Sequence, residues 1–230
     1  KLIFVCIPII LGISCYILGL EVTSMIHEKI EIHLKDSEFT ANLFTYFLDN
    51  SPEIDPERKR PVVLICPGGG YRFVSPREAE PIALEYLAMG YHAFVLSYSV
   101  APSRFPQAIE ELAWLTVHIR RHAEEWKIQE DGIVVSGFSA GGHLASTVAT
   151  HASEELRPAF QILFYPVISM EPKYGHGGSC RQFLGEKATE ELKKEFSNEY
   201  QVDSLTPRAF IALSDDDRGV VPMNSIRYYS

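Results

Sequence analysis

Ser139 stands at the centre of Gly137-Phe138-Ser139-Ala140-Gly141, a G-x-S-x-G pattern. The β-branched run 133–136 before it is typical of a buried strand, and residues 142–149 after it read as the start of a helix. Between a strand and a helix, this pattern holds a serine hydroxyl clear of the sheet, where it can act as a nucleophile. A phosphate-binding turn is the alternative, but a dinucleotide site would need glycine at position 139 and a P-loop would need lysine where His143 stands. The pattern therefore predicts a catalytic serine.

Three consecutive glycines, Gly68 to Gly70, follow the apolar run 61–65. A nucleophilic serine needs preorganised donors for the oxyanion that forms on the carbonyl group it attacks. Glycines let backbone N–H groups approach that oxyanion without obstruction from Cβ atoms. We therefore expect this loop to supply an N–H group that acts together with the N–H of Ala140. The alternative is an ordinary glycine-rich surface turn.

Three aspartates, Asp215 to Asp217, follow the apolar run 209–214. The acid of a catalytic triad comes later in the chain than such a serine, at the end of a strand, and it orients and stabilises the histidine base. Three adjacent carboxylates repel one another, so at least two of them should be solvated or engaged elsewhere. An acidic surface turn is the alternative. The position after a buried strand favours one of the three as the triad acid.

The histidine base is the missing part, because all eight histidines precede Asp215 in the sequence. His143 begins the helix after the serine, and we interpret it as a packing or capping residue. His176 lies in a glycine-rich stretch and is the better candidate within the chain. The plainer expectation is that the chain is truncated and that the base lies beyond Ser230, within roughly the next 30–60 residues.

Five apolar runs without alternation predict strands that are covered on both faces. They are 61–66, 91–98, 132–136, 159–165 and 208–213. Residues 29–35 and 39–48 have a different pattern, in which polar and apolar side chains alternate. This alternation predicts an antiparallel pair of strands at the edge of the sheet.

Helical patterns separate the predicted strands. They cover residues 76–89, 106–126 and 186–197. On the second of these helices, Glu110 and Glu111 are expected to face water, opposite an apolar stripe. Strands that alternate with helices indicate a mostly parallel sheet with helices on both faces.

Three motifs together resemble the esterase/lipase branch of the α/β-hydrolases, and the nearest likeness is to bacterial acetyl-xylan and feruloyl esterase-like proteins. The motifs are Gly68-Gly69-Gly70-Tyr71, the stretch Gly137–His143, and Asp217 with Val221-Pro222 and Asn224-Ser225. A further stretch, His176 to Gly185, resembles the region between serine and acid in that group. The resemblance implies a three-layer α/β-hydrolase fold over residues 29–230, with a mostly parallel sheet, an antiparallel N-terminal strand pair and the C-terminal part missing. No metal or organic cofactor is implied.

The same resemblance implies roles for individual residues. Ser139 would be the nucleophile and Asp217 the acid, and Gly69, Gly70 and Ala140 would donate to the oxyanion. This chain departs from the family pattern in two places. Pro67 stands where lipases often carry histidine, which leaves the backbone donors intact, and Gly219 lengthens the spacing from Asp217 to Val221-Pro222 by one residue. Asp216 therefore stays an alternative for the acid.

The composition is that of an ordinary globular protein, with 46% hydrophobic residues, and about 205–210 residues remain once a leader is set aside, enough for one domain. The net charge of −9 argues against nucleic acid and anionic membrane surfaces as partners, and it favours a neutral or weakly charged substrate. Cys66 and Cys180 could pair in an oxidising compartment, but small buried side chains are the expected role of both.

Residues 1–20 form an almost wholly apolar run behind Lys1. A basic start, an apolar centre and small residues at the exit predict an export signal, and Cys15 resembles an imperfect lipoprotein cleavage site. A transmembrane anchor is the alternative. Either interpretation places the following domain outside the cytoplasm, as a periplasmic, cell-surface or secreted protein whose only membrane contact is this leader.

The residues together predict a serine carboxylic-ester hydrolase, and the resemblance implies that it removes acetyl or feruloyl groups from a small-molecule or polysaccharide ester. A prolyl-oligopeptidase-type peptidase would use the same serine turn, but it usually carries a long extra domain that does not fit before Lys29. A non-catalytic protein that kept the fold and lost the base is the alternative from another class.

Overall fold

The structure, a computed structural model, describes residues 25–230. Its seven strands are β1 (Met25–His33), β2 (Thr40–Leu48), β3 (Arg60–Cys66), β4 (His92–Ser97), β5 (Ile128–Phe138), β6 (Phe160–Phe164) and β7 (Ala209–Ala212). They form one sheet in the order β1-β2-β4-β3-β5-β6-β7. Strand β2 runs antiparallel to β1 and β4, whereas neighbouring strands from β4 to β7 are parallel. The predicted mostly parallel sheet with an antiparallel pair at its N-terminal edge is confirmed.

Residues 25–230 contain six α-helices, of which five lie between strands and the sixth follows β7. They are α1 (Glu80–Ala88), α2 (Gln107–Arg121), α3 (Ala140–His151), α4 (Gly177–Leu184), α5 (Glu190–Glu195) and α6 (Met223–Tyr229). The predicted helix 76–89 is divided, because a 3₁₀ turn over Pro76–Glu78 precedes α1 and Ala79 between them leaves the helical conformation. The predicted helix 186–197 is shorter than expected: it begins after Thr189, whose side chain accepts from the Leu192 N–H, and it ends at Glu195.

The helices lie on both faces of the sheet, which gives three layers. Alternate side chains of β3 point to opposite faces, so that Val62 and Leu64 join one core and Val63 and Ile65 join the other. Helix α1 covers the smaller core. Helices α2, α3 and α4 contribute apolar side chains to the larger one. Burial of both faces explains why the central strands read as continuous apolar runs.

Glu111 of α2 is a correction to the sequence interpretation, because it is fully buried rather than facing water. Its carboxylate accepts hydrogen bonds from the backbone N–H and the hydroxyl of Ser99 and from the Gln107 side chain. Burial raises the pKa of this carboxyl, while those hydrogen bonds favour its ionised form. Glu111 therefore fastens the chain that leaves β4 to the start of α2.

Cys66 and Cys180 are both buried and both free, so they are the small buried side chains that the sequence predicts and not a disulfide. Burial raises the pKa of the Cys66 thiol to about 12, which keeps it protonated at neutral pH. The predicted leader, residues 1–20, lies outside the described residues and stays a prediction. Within residues 25–230, no helix is long and apolar enough to span a bilayer.

Candidate active site

Ser139 occupies the turn between β5 and α3, in a backbone conformation that a non-glycine residue rarely adopts. Its φ is 51° and its ψ is −118°. Neighbouring segments hold this conformation: the Ser139 N–H donates to the carbonyl of Phe164 at 3.1 Å, and its carbonyl accepts from the Val167 N–H at 2.9 Å. Strained backbone that its surroundings hold in place is typical of functional sites. The turn leaves Ser139 half-buried at the end of the sheet.

Gly141 lets the turn that holds Ser139 pack against the end of β3. A Cβ atom at this position would lie 2.0 Å from the carbonyl oxygen of Cys66 and 2.4 Å from that of Pro67. No side chain fits in that space. Because Gly141 has no side chain, the glycine loop that follows β3 can lie next to Ser139.

The glycine loop lies directly against Ser139. A Cβ atom on Gly68 would lie 2.9 Å from the Cβ of Ser139. Gly69 has a φ of 129°, and a Cβ there would lie 1.9 Å from the carbonyl oxygen of Phe73, so only glycine suits this position.

Two N–H groups of this loop are left without a partner. The Gly68 N–H donates to a carboxylate oxygen of Glu78 at 2.7 Å. By contrast, the N–H groups of Gly69 and Gly70 donate to no atom of residues 25–230. Ala140 is the first residue of α3, where helix geometry provides no intrahelical partner for the N–H group. The N–H groups of the three predicted oxyanion donors thus have no partner among residues 25–230, and Gly69 and Gly70 line the cavity beside Ser139, whereas Ala140 is buried behind it.

A buried chain of hydrogen bonds fixes the glycine loop to the helix that carries the serine. The Tyr71 hydroxyl lies 2.9 Å from His143 Nδ1, and His143 Nε2 lies 2.8 Å from the carbonyl oxygen of Phe196. Since that carbonyl can only accept, Nε2 carries the proton and Nδ1 accepts from Tyr71. Burial lowers the pKa of His143 to about 4, so the ring is neutral. His143 is a packing residue, as predicted.

The carboxylate of Asp217 is held by its own turn. One oxygen accepts from the N–H groups of Gly219 and Val220, at 2.8 and 2.9 Å. Asp216 instead accepts from the Ser214 hydroxyl and is exposed, as is Asp215. Of the three aspartates, Asp217 alone lines the cavity beside Ser139.

That cavity has a volume of about 690 Å³, and Ser139, Asp217, Gly69 and Gly70 all lie in its wall. His176 lines it as well. The His176 Nδ1 accepts from the Ser179 N–H at 3.1 Å and lies 2.8 Å from the Ser179 hydroxyl, so this ring caps α4. Within residues 25–230, no hydrogen bond joins His176 to Ser139 or Asp217, and no group of three histidine, cysteine or acidic side chains is placed to hold a metal ion.

Glu78 is a residue of the cavity wall that the sequence interpretation missed. One carboxylate oxygen accepts from the Gly68 N–H and the other accepts from the Tyr165 hydroxyl at 2.8 Å. Glu78 therefore joins the glycine loop to the chain that follows β6. Its position ten residues after Gly68, in the turn before α1, was the only signal in the sequence.

Comparison with known proteins agrees with this geometry. The profile of the alpha/beta hydrolase fold family matches residues 63–224. The acetylxylan esterase of Xylanibacter ruminicola is 38% identical over 169 residues, which cover 71% of this chain and 35% of that protein. Endo-1,4-beta-xylanase B of Butyrivibrio fibrisolvens is 34% identical over 202 residues, which cover 81% of this chain and 31% of that protein. The chain thus spans about a third of the length of these two curated relatives.

A solved structure is similar over more of its length. The crystal structure of an acetyl ester-xyloside bifunctional hydrolase from Caldicellulosiruptor lactoaceticus superposes with a TM-score of 0.77 at 33% identity. The superposition covers 84% of this chain and 73% of that protein. A putative carboxylesterase from Lactobacillus plantarum superposes with a TM-score of 0.76 at 27% identity, over 90% of this chain and 82% of that one.

Proposed function

The chain belongs to the α/β-hydrolase fold family and is of its esterase type, and from this premise we propose that it is a serine hydrolase of carboxylic esters. The observation that carries the proposal is the meeting of three parts in one cavity: the strained Ser139, the unpartnered N–H groups of Gly69 and Gly70, and the Asp217 carboxylate. A turn with a purely structural role would not require a strained serine, unpartnered N–H groups and a carboxylate in one cavity.

In the proposed reaction, the Ser139 hydroxyl oxygen forms a bond to the ester carbonyl carbon while its proton passes to a histidine base. The oxyanion accepts from the N–H groups of Gly69, Gly70 and Ala140. The bond from the carbonyl carbon to the alcohol oxygen then breaks, and the alcohol leaves with the proton. Water releases the acyl group from Ser139 by the same steps, which gives a carboxylic acid.

Asp217 is proposed to hold and stabilise that base. Its second carboxylate oxygen is free for this role, because the turn uses only the first. The base is expected after Asp217 in the chain. His176 is the candidate within the described residues, and its Nδ1 is already engaged with Ser179.

For the substrate, we propose O-acyl groups, acetyl or feruloyl, on a polysaccharide. The similarity to a protein named acetylxylan esterase supports this class. The cavity also supports it, because exposed side chains such as Phe73 stand at its rim and leave room for a polymer to extend beyond the reacting ester.

The nucleophile is tested with the full-length protein, a fluorophosphonate probe and p-nitrophenyl acetate. We expect the probe to label Ser139, and we expect Ser139→Ala to abolish labelling and to lower kcat/KM by about 10³-fold or more. Ser153→Ala, at an exposed serine outside the cavity, is the matched control and should behave as the parent protein does. Equal hydrolysis by the parent and Ser139→Ala proteins would disprove the proposal.

The substrate class needs a separate measurement. Acetate released from acetylated xylan and ferulate released from feruloylated arabinoxylan are each quantified for the parent and Ser139→Ala proteins. Release of either acid that depends on Ser139 supports the polysaccharide assignment. Hydrolysis of p-nitrophenyl acetate without release of either acid would restrict the enzyme to small esters.

A further inference from the structure

Three arginines line the cavity around Ser139. Arg72 and Arg77 come from the segment between β3 and α1, and Arg181 comes from α4. All three side chains are exposed. A wall with three guanidinium groups is unexpected in a protein whose net charge is −9. The local charge at the site therefore differs in sign from that of the whole molecule.

The carboxylates of the same wall do not neutralise these arginines. Glu78 uses both of its oxygens to accept from Gly68 and Tyr165. Asp217 accepts from its own turn and is proposed to hold the base. Among residues 25–230, no carboxylate oxygen lies within 4.0 Å of Arg72 or Arg77, and Arg181 reaches only the exposed Glu186, at 4.0 Å.

Two arginines elsewhere in the protein show what a close carboxylate pair looks like. Arg157 forms a bidentate pair with Asp203, at 2.6 and 2.9 Å, and Arg227 pairs with Glu171 at 3.4 Å. Arg72, Arg77 and Arg181 differ from these two arginines, because they line the cavity at Ser139 and form no close pair with a carboxylate of residues 25–230. A guanidinium group binds a carboxylate with two parallel hydrogen bonds, a geometry that a neutral sugar hydroxyl does not match.

The helix that carries Arg181 is itself held in place. Arg104 donates to the carbonyl oxygens of Arg181 and Gln182 at 2.6 and 2.7 Å, which satisfies the C-terminal end of α4. At the other end, His176 caps α4 and also lines the cavity. The part of the cavity wall that carries Arg181 is therefore preformed in the absence of a ligand.

We propose that the cavity selects esters that carry a carboxylate near the reacting acyl group, and that Arg72, Arg77 and Arg181 bind that carboxylate. The inference rests on the proposed ester hydrolysis at Ser139 and deepens it. The carboxylate has two chemical sources. It belongs either to the alcohol side, as a uronic acid on an acetylated oligosaccharide, or to the acyl side, as the half-ester of a dicarboxylic acid.

Kinetics with matched substrate pairs test the proposal on the full-length protein. 4-Nitrophenyl butanoate and 4-nitrophenyl hemisuccinate differ on the acyl side by a terminal methyl group in place of a carboxylate. Acetylated xylo-oligosaccharides with and without a glucuronic acid branch differ by one on the alcohol side. In one of the pairs we expect the anionic member to have the higher kcat/KM, by about tenfold or more, which is the size of one charge-assisted hydrogen bond. This preference should fall as salt is added.

Single substitutions test which arginines cause the preference for the anionic substrate. Arg72→Gln, Arg77→Gln and Arg181→Gln are each expected to lower the ratio of kcat/KM for the anionic substrate to that for the neutral substrate, with about a tenfold fall for the largest effect. Arg121→Gln, at an exposed arginine of α2 outside the cavity, is the control and should keep the parent ratio. An unchanged ratio in all three variants overturns the proposal.

A binding measurement separates this proposal from the proposed function. The Ser139→Ala protein is titrated with glucuronic-acid-branched and unbranched xylo-oligosaccharides and with succinate, by calorimetry. Tighter binding of one of the anionic ligands that Arg181→Gln weakens supports the arginine site even if no ester is hydrolysed. Hydrolysis of neutral esters at Ser139 with no anionic preference in either assay would overturn the arginine site and leave the proposed function intact.

Discussion

At the turn that holds Ser139, the carbonyl oxygen of Cys66 lies where a side chain at position 141 would begin. A methyl group there would have to displace backbone atoms of β3 and of α3 at once. We therefore predict that Gly141→Ala lowers the free energy of unfolding by about 4 kcal/mol or more, or prevents folding. Urea unfolding and the yield of soluble protein measure the effect.

Gly177→Ala is the matched control for this prediction. A Cβ atom at Gly177 would meet only the tip of the Arg181 side chain, at 3.4 Å. Because that side chain can move, we expect a change below about 1 kcal/mol. If the Gly141→Ala protein unfolded at the same urea concentration as Gly177→Ala, the close contact between the turn and β3 would be wrong.

Single residues of the site differ in how far the sequence could predict them. Ser139 and the glycines sit in patterns whose spacing reflects local backbone geometry, so the sequence was sufficient to find them. The sequence could not separate Asp217 from Asp216, because the difference lies in which carboxylate meets the N–H groups of residues 219 and 220. Glu78 and the cavity arginines were missed, because chain segments far apart in sequence bring them together.

Helix α6 begins beside the turn that carries Asp217, and Asn224 fastens it to the body of the protein. The Asn224 side-chain oxygen accepts from the N–H groups of Ile168 and Ser169, and its nitrogen donates to the carbonyl of Tyr174 at 2.8 Å. This side chain is almost completely buried. Asn224 therefore contributes to the docking of α6, together with the Arg227–Glu171 pair and the Tyr228 hydroxyl, which donates to the Gln161 side chain at 3.1 Å.

We predict that Asn224→Ala lowers the free energy of unfolding by about 2–4 kcal/mol, because it leaves two buried backbone N–H groups without acceptors. Fluorophosphonate labelling of Ser139 should also slow down, since a loosened α6 also loosens the turn before it, which carries Asp217. Ile226→Ala, at a half-exposed position of the same helix, should change stability by about 0.5 kcal/mol or less. Equal stability of the two variants would contradict this role for Asn224.

The sequence predicted best those strands that are buried on both faces, because almost all of their residues are apolar. Strands β3 and β4 agree with their apolar runs to within about one residue at each end. Helix α4 was not predicted, because it starts with Gly177 and Gly178, which are poor helix formers, and its cap is a histidine side chain. Strand β5 starts at Ile128, four residues before the predicted start. Pairing of Ile128 with Arg60 of β3, across a bulge, extends the strand through residues 129–131, which are polar and gave no strand signal.

The stability of the whole molecule should depend on pH through His143. Burial lowers its pKa in the folded protein to about 4, whereas an unfolded histidine has a pKa of about 6.5. Above pH 6.5 the ring is neutral in both states. Between about pH 6.5 and 4 only the unfolded state binds the proton, so stability is lost as the pH falls, by up to about 3 kcal/mol.

Urea unfolding at several pH values between 7.5 and 4.5 measures this loss. His143→Gln, which cannot titrate, should be less stable at neutral pH and should lose less stability over the same range. His92 and His118 contribute to the part that remains, because burial lowers the pKa of both, that of His92 to about 4. An identical pH dependence in the parent and the His143→Gln proteins would show that His143 does not control it.

The backbone of Ser139 has a consequence for how this protein could change by mutation. Glycine would adopt a φ of 51° and a ψ of −118° without the steric conflict that a Cβ atom creates, and such conflicts are worth about 1–3 kcal/mol. A chain with glycine at this position would therefore have a larger free energy of unfolding, yet it would lack the hydroxyl of Ser139. At position 139, stability therefore favours glycine, whereas the proposed reaction requires the serine hydroxyl.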